Sequence, residues 1–276
     1  MTYLQILVLA IVQGLAELLP VSSSAHVILT EKWLGLDPTR PEMTLLLVML
    51  HTGTMFAVIF YFWNSWKDTY FSSSEQFRIQ FTRIVAATVA TGMVGLAMLK
   101  IIPHVLGIHD HFEIEQIFGN THLIALSLAA AGILIFISGI RSMANKSSHK
   151  MNNGQSIVIG LIQGLCLPFR GFSRSGATIS TALLMHIGRR QAEEFSFALA
   201  VVLTPAVVVR ELWRVFKHPH PDLITILTPS LVGMLFSFFA GLIALKWLSH
   251  WLERGKWHYF GIYCMIMSGI VFLSSH

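Results

Sequence analysis

The sequence predicts an all-α integral membrane protein in which six transmembrane helices and two re-entrant helical hairpins form an inverted repeat. Three observations support this prediction: the composition, the lengths of the apolar segments and an internal duplication. Of the 276 residues, 54% are hydrophobic and 12% are charged, and the mean hydropathy is +0.65. A soluble domain carries about 25% charged residues, so lipid is expected to surround most of this chain.

The composition also limits the classes of function. The net charge of +5 is expected to lie in cytoplasmic loops. The sequence lacks the interleaved basic and aromatic residues that are typical of nucleic-acid binding. Cys166 and Cys264 lie in apolar runs, and two cysteines exclude a disulfide framework. Residues 1–12 are apolar but lack a basic start, so we interpret them as mature structure and not as a signal peptide. The length suits a single membrane domain, 1–276.

Six apolar segments are long enough to cross a bilayer, which takes about 20 residues. They lie near 43–63, 83–102, 122–140, 194–213, 223–245 and 257–275.

Two further apolar stretches, 3–19 and 155–169, are too short to cross and run into clusters of Ser, Gly and Pro. Each is followed by a short helical stretch, 26–36 and 176–187 respectively. This pattern is typical of a helical hairpin that dips into the membrane and returns. Irregular backbone at membrane depth persists only inside protein or against a water-filled cavity, so we expect the two tips to line a cavity.

The two hairpins look like copies of one ancestral segment. The triplet Gln13-Gly14-Leu15 recurs 150 positions later as Gln163-Gly164-Leu165, and Ser23 and Ser173 are separated by the same 150 positions. We therefore divide the chain into repeat one, about 1–150, and repeat two, about 151–276.

Loop charge predicts the orientation. One set of loops carries ten Lys or Arg, namely 64–82, 141–154, 188–193 and 246–256. The opposite set carries three, in 36–42, 103–121 and 214–222, and its loop 103–121 is acidic, with Asp110, Glu113 and Glu115. The richer set is expected inside. Because each half has three spans, the halves must be inverted, an architecture that brings broken helices together near the midplane.

The tips hold the candidate chemical groups, since polar and ionisable residues at membrane depth are usually functional. The first tip offers Glu17, Ser22, Ser23, Ser24 and His26, and the second offers Arg170, Ser173, Arg174, Ser175 and Thr178.

These residue types suit phosphate chemistry. The guanidinium of Arg174 can bind phosphate oxygens in pairs, and nearby hydroxyls and helix N-terminal N–H groups add donors. Glu17 and His26 could act as general base and acid, with Ser23 between them as a nucleophile.

Structural roles remain open for several of these positions. Gly14, Gly164 and Ser22 could serve helix packing, and Ser24 and Ser175 could cap helices.

Three further residues, Glu17, Arg174 and His51, also have more than one interpretation. Glu17 could belong to a structural ion pair, and Arg174 could likewise be structural. His51 either lines the cavity or packs in the core. The histidines of 104–122 are expected in an exposed loop, without the spacing of a zinc site. Walker A, dinucleotide-binding and Gly-x-Ser-x-Gly motifs are absent from the sequence.

At the two tips the sequence resembles the bacterial undecaprenyl-diphosphate phosphatases, the bacitracin-resistance family. The resemblance is carried by Gln13-Gly14-Leu15-Ala16-Glu17-Leu18-Leu19-Pro20-Val21-Ser22-Ser23-Ser24-Ala25-His26 and by Arg170-Gly171-Phe172-Ser173-Arg174-Ser175-Gly176-Ala177-Thr178. Segments 51–54 and 194–197 also resemble family segments.

The resemblance implies an enzyme that hydrolyses undecaprenyl diphosphate to undecaprenyl phosphate and phosphate, recycling a carrier lipid for cell-wall synthesis. It implies a place in the bacterial inner membrane, with the site open to the periplasmic side. It assigns catalytic roles to Glu17, Ser23, His26 and Arg174. We expect substrate binding from Gln13, Ser22, Arg170, Ser173, Ser175 and Thr178.

Two departures from the family pattern affect these expectations. Arg170 stands where Pro is usual, which adds a second cation, and Ala25 stands where Gly is usual. Gln13 is the alternative to Glu that the family permits at its position, and it leaves Glu17 as the only carboxylate of that pair, which weakens the argument for a two-carboxylate metal site. The sequence leaves open whether the site uses a divalent cation. Mg²⁺ or Ca²⁺ could be held there by Glu17 together with substrate phosphates.

Two alternative functions remain. A lipid-phosphate transporter or flippase would have the same architecture, and a relative acting on shorter prenyl diphosphates would have the same site. The expected partners are a lipid diphosphate and membrane lipids, with a homodimer as one option for the assembly.

Overall fold

The computed structural model describes residues 1–37, 41–105, 120–144, 149–217 and 223–273. Over these ranges the regular structure is helical, and one isolated bridge joins His149 and Ile187. The predicted all-α class is therefore confirmed for the described residues. Parts of the loops used to predict orientation lie outside them, including Arg40, Lys146 and the acidic residues Asp110, Glu113 and Glu115.

Ten helices occur in the described part of the chain. They are α1 Tyr3–Leu18, α2 Ser23–Trp33, α3 Pro41–Tyr70, α4 Ser74–Val105, α5 Thr121–Ala144, α6 Asn153–Cys166, α7 Arg174–Leu184, α8 Arg189–Lys217, α9 Leu223–Glu253 and α10 His258–Leu273.

Five of these helices, α3, α4, α5, α8 and α9, are long and apolar enough to cross a membrane, counted over the described residues. The first five predicted spans fall on them, and the chain is an integral membrane protein. The sixth predicted span coincides with α10. Its 16 residues cover about 24 Å at 1.5 Å per residue, less than a bilayer core of about 30 Å.

The short helices occur in two pairs, α1 with α2 and α6 with α7. Both pairs open with a capping box, at Thr2 and at Asn152, which satisfies the first backbone N–H groups. The second helix of each pair begins earlier than expected, at Ser23 and Arg174. Serine favours the start of a helix because its hydroxyl can accept from free N–H groups. The irregular tips are therefore shorter than predicted.

By contact density the chain forms two units. Unit 1 comprises 1–19, 23–64 and 200–248, and unit 2 comprises 20–22, 65–199 and the chain from 249 onward. Each unit takes residues from both halves of the sequence.

Unit 1 is built around α1, α3 and α9. Its core includes Ile6, Leu9, Leu46 and Leu50, each 1% exposed or less. Gly14 lets α1 approach α9 closely, because a Cβ there would lie 2.6 Å from the Cβ of Ala240. Where helices pack this closely, small residues are required, which confirms the packing role left open for Gly14.

A second set of contacts fixes α3 against α9. The Ser237 hydroxyl donates to the Leu50 carbonyl at 2.8 Å, and a Cβ at Gly53 would collide with the Met234 carbonyl. These contacts hold the backbone on either side of His51, so its position on α3 is well defined.

In unit 2, α6 and α4 likewise approach closely at a glycine. A Cβ at Gly164 would lie 2.7 Å from the Thr91 carbonyl, which confirms a packing role for this glycine too. The Thr91 hydroxyl donates to the Gly160 carbonyl at 2.9 Å and accepts from the Gln163 amide at 3.1 Å. The helix pair α5 and α10 meets at Gly132 and Gly261, again without room for side chains.

Candidate active site

The first tip brings a serine and a carboxylate together. The Ser23 hydroxyl donates to Oε2 of Glu17 at 2.6 Å, and the Gln13 amide donates to the same oxygen at 3.2 Å. Gln13 and Glu17 are four residues apart on α1 and so lie one above the other. The turn after α1 carries the chain back, so that the first residue of α2 faces the end of α1.

Burial makes this contact chemically important. The Glu17 side chain is 13% exposed, and Gln13 is 1% exposed. A carboxylate removed from water must be compensated by hydrogen bonds or an opposite charge. The two donors stabilise the ionised form of Glu17, which can then accept the proton of Ser23.

His51 belongs to the same cluster. Its Nε2 lies 3.6 Å from Oε2 of Glu17, and its Nδ1 lies 2.8 Å from the Leu47 carbonyl. The sequence left two interpretations of His51 open, and the structure places it beside the candidate site. Only a tertiary contact between α1 and α3 reveals this, because 34 residues separate it from Glu17 in the chain.

His26 lies in the first turn of α2, three residues after Ser23, and is half-buried. Its carbonyl accepts from the Thr30 hydroxyl at 2.7 Å. Ser24 lies in the same turn and is also half-buried. His26 and Ser24 therefore occupy the same helix end as Ser23, within unit 1.

Ser22 has an unusual backbone. Its φ is +67°, in the left-handed region, and it is buried. Among the described non-glycine residues only His186 shares this feature. Left-handed conformations of side-chain-bearing residues store strain and are concentrated at functional sites. Just before it, the Pro20 carbonyl accepts a hydrogen bond from the Cys264 thiol at 3.3 Å, which ties this end of the tip to α10.

In the second tip, which belongs to unit 2, the first residue of α7 is the cationic Arg174. Ser173 is the N-cap and accepts from the Gly176 N–H at 3.1 Å. Arg174 is the first helical residue and is half-buried, and Arg170 is exposed. Gly171, with φ +98°, lets the turn pass close to the Ile124 carbonyl. The result is a helix N-terminus carrying a guanidinium, which suits an anion.

Two of the predicted binding residues lie deeper. Thr178 is fully buried, donates to the Arg174 carbonyl at 2.9 Å and shares a hydrogen bond with Ser196 at 2.5 Å. Ser175 is 6% exposed. Their described contacts support the start of α7 and hence the backbone of Arg174.

Unit 2 also contains the buried carboxylates Glu193 and Glu194, to which the sequence analysis assigned no role. Glu194 accepts from Arg190 Nε at 2.8 Å and from the Ser65 hydroxyl, and Arg190 also donates to Ser65 at 2.9 Å. Glu193 accepts from Ser249 at 2.5 Å. The i, i+4 spacing of Arg190 and Glu194 was the available signal, and these contacts join α8 to α3 and α9.

A protein-only metal site is not supported. The described residues contain no group of three or more His, Cys, Asp or Glu that could hold a metal ion. In the described contacts, the Ser23 hydroxyl is an oxygen ligand candidate next to the Glu17 carboxylate. A hard cation there would take further ligands from substrate phosphates and water, so Glu17 as a metal ligand stays a prediction.

Comparison with known proteins places this site in a family. The model of the bacitracin resistance protein BacA family matches residues 6–271. "Undecaprenyl-diphosphatase 2" of Acinetobacter baylyi is 55% identical, over 98% of this chain and 97% of that protein. "Undecaprenyl-diphosphatase" of Korarchaeum cryptofilum is 32% identical over 98% of each. "Undecaprenyl-diphosphatase" of Alkaliphilus metalliredigens is 30% identical, over 100% of this chain and 99% of that protein. Because both motif segments, 13–26 and 170–178, lie inside the matched region, the chain belongs to the BacA bacitracin-resistance family.

Proposed function

We propose that this chain is an undecaprenyl-diphosphatase, a membrane hydrolase that converts undecaprenyl diphosphate to undecaprenyl phosphate and phosphate. The observation that carries the proposal is the 2.6 Å hydrogen bond from the Ser23 hydroxyl to the Glu17 carboxylate. A hydroxyl bonded to a buried base is the arrangement of an activated nucleophile. The names of the relatives indicate the substrate.

In the first step Ser23 Oγ attacks the terminal phosphorus of the diphosphate. The Oγ–P bond forms as the bond from that phosphorus to the bridging oxygen breaks, and the bridging oxygen leaves with the electron pair as undecaprenyl phosphate. The Ser23 proton passes to Oε2 of Glu17. Such transfers depend mainly on positioning and on neutralising the phosphate oxygens.

In the second step water attacks the phosphoserine. The water oxygen bonds to phosphorus, and the P–Oγ bond breaks with its electron pair returning to Oγ. Oγ takes back the proton that Glu17 received, and inorganic phosphate leaves with both protons of the water. The enzyme returns to its starting protonation.

Arg174 binds the diphosphate in this proposal. Its planar guanidinium can donate two parallel hydrogen bonds to phosphate oxygens, and the first turn of α7 adds backbone donors. Arg170, Ser173, Ser175 and Thr178 assist by contact or by supporting that turn. In the first tip, Gln13 and Ser22 orient Glu17 and the turn, and His26 transfers protons beside Ser23.

We also propose that the chain is an inverted repeat of six spans and two re-entrant hairpins in the inner membrane, with the site open to the periplasm. Support comes from the matching caps at Thr2 and Asn152 and from the close helix contacts at Gly14 and Gly164. A divalent cation and a homodimer remain predictions within this proposal.

The prenyl chain requires an apolar surface beside the site. An open groove of about 880 Å³ between α3 and α9 in unit 1 is lined by aromatic side chains, including Phe56, Phe60, Trp63 and Phe238. Phe56 follows His51 by five residues, about 7.5 Å along α3. We propose that part of the prenyl chain lies in this groove.

The orientation has a direct test. Single cysteines placed in 36–42 and in 141–154 should react with a membrane-impermeant thiol reagent from opposite faces of spheroplasts and inverted vesicles. As a control, Cys166 and Cys264 are buried and should stay unlabelled. Labelling of both loops from one face would contradict the inverted repeat.

The activity is tested with purified protein in detergent. Undecaprenyl diphosphate should release phosphate, and a chain-length series should favour the long prenyl substrate. A transporter would bind the lipid and leave the diphosphate intact, whereas preference for a short chain would point to the other alternative.

A further inference from the structure

His51 is held in a defined protonation geometry. Its Nδ1 lies 2.8 Å from the Leu47 carbonyl, and a carbonyl can only accept. Nδ1 therefore carries a hydrogen and donates it. In a neutral imidazole the other nitrogen, Nε2, is then the basic one, and Nε2 is the atom nearest Glu17.

The same carboxylate oxygen serves both partners. Oε2 of Glu17 accepts from Ser23 at 2.6 Å and lies 3.6 Å from Nε2 of His51. The second distance is that of an ion pair and exceeds a hydrogen bond by a few tenths of an ångström. Catalytic hydrogen bonds are often long before substrate binds and shorten in the complex.

We infer that His51 holds the proton that Glu17 takes from Ser23, and returns it when the phosphoserine is hydrolysed. The inference rests on the proposed function and adds a residue to it. In the first step the proton moves from Ser23 Oγ to Glu17 and then to Nε2 of His51. In the second step it returns by the same path to the departing Oγ, so no proton or electron is left over.

The two side chains are suited to different parts of this task. The neutral imidazole of His51 has a basic nitrogen that can take up a proton, and the Glu17 carboxylate accepts from Ser23. The His51 side chain is 42% exposed and that of Glu17 is 13% exposed, so His51 is the more accessible of the two. Glu17 contacts the nucleophile, and His51 acts through Glu17 as a positioning residue.

The surroundings favour this role over packing. Both ring nitrogens of His51 have polar partners in the described contacts, the Leu47 carbonyl at Nδ1 and the Glu17 carboxylate at Nε2. The backbone around His51 is fixed by the contacts of Leu50 and Gly53 with α9, so the ring is held close to Glu17.

The test compares His51→Gln, His51→Ala and a control, Thr52→Val. A glutamine amide can still donate to the Leu47 carbonyl but cannot take up a proton. Among the residues that the structure describes, the Thr52 hydroxyl bonds only within its own helix, to the Val48 carbonyl at 2.8 Å. We expect kcat to fall about ten- to hundredfold in both His51 variants with KM within about twofold, since proton transfer is affected and binding is not. Thr52→Val should behave like wild type.

Chemical rescue separates proton transfer from packing. Added imidazole should restore at least about tenfold activity to His51→Ala, and thiazole, a ring of the same size that stays unprotonated near neutral pH, should not. Full activity in His51→Gln, equal rescue by thiazole, or no rescue at all would overturn the inference. Unfolding temperatures in detergent confirm that the variants are folded. If the wild-type protein releases no phosphate, the proposed function is wrong. If the wild type and the His51 variants release phosphate equally well, the proposed function stands and only the role of His51 is wrong.

Discussion

The two hairpins share a scaffold but differ in chemistry. Both begin with a capping box, and both carry a buried Gln-Gly pair whose glycine lies against a neighbouring helix. At the position equivalent to Glu17, however, the second hairpin has Leu167, which is 48% exposed. At the position equivalent to Pro20 it has Arg170.

The features that the two helix pairs share are those that a short, closely packed helix needs. The caps satisfy the first N–H groups, and the glycines allow close helix packing. The candidate acid and the candidate nucleophile occur in the first pair and the cations in the second. We interpret this as a division between proton transfer and anion binding.

Ser23 should show the largest difference between the hairpins. Ser23→Ala is expected to lower phosphate release about a hundredfold or more, because it removes the nucleophile, while lipid binding persists through Arg174. The matched variant Ser173→Ala removes an N-cap and should affect stability by about 1 kcal/mol, with a smaller loss of activity. Phosphate release and lipid binding measured side by side provide the comparison.

Variants of the neighbouring serines test whether the nucleophile has been assigned to the correct position. Ser22→Ala and Ser24→Ala should reduce activity less than Ser23→Ala. An inactive Ser22→Ala or Ser24→Ala beside an active Ser23→Ala would show that the nucleophile has been misassigned. If all three remain active, His26 or a water activated by Glu17 becomes the leading nucleophile.

Arg174 should show the next largest effect. Both Arg174→Ala and Arg174→Lys are expected to lose most activity while the protein still inserts, because a lysine cannot reproduce paired hydrogen bonds to phosphate. Arg170 is exposed, and Arg170→Ala should lose only a few-fold in activity at a surface cation. Phosphate release close to wild type in Arg174→Lys would argue against paired binding.

Local features were predictable from the sequence, and tertiary ones were not. Glu17 and Ser23 are separated by six residues, so a short turn suffices to join them, and their pairing followed from the motif. The contact of His51 with Glu17 depends on how α1 packs against α3, and no local pattern specifies that packing. The start of α2 at Ser23 was misjudged because a run of serines fits either an irregular tip or a helix start.

The buried glutamines offer the finest comparison. Gln13 donates to Glu17 at 3.2 Å, whereas Gln163 donates to the Thr91 hydroxyl at 3.1 Å. The side-chain oxygen of Gln163 has no hydrogen-bond partner among the described residues. An unpaired buried oxygen is unfavourable, so its removal offsets the loss of the hydrogen bond.

We therefore expect different results from the same substitution in the two hairpins. Gln13→Leu removes a hydrogen bond to a charged group, which is worth about 1.5 kcal/mol, so it should lower phosphate release about five- to twentyfold and also lower the unfolding temperature. Gln163→Leu should leave phosphate release near wild type and shift stability by less than about 1 kcal/mol. Activity and thermal unfolding of the two variants, measured in the same detergent, test the comparison. Equal losses of activity would mean that the second hairpin takes part in proton transfer as the first does, and the division between the hairpins would then be wrong.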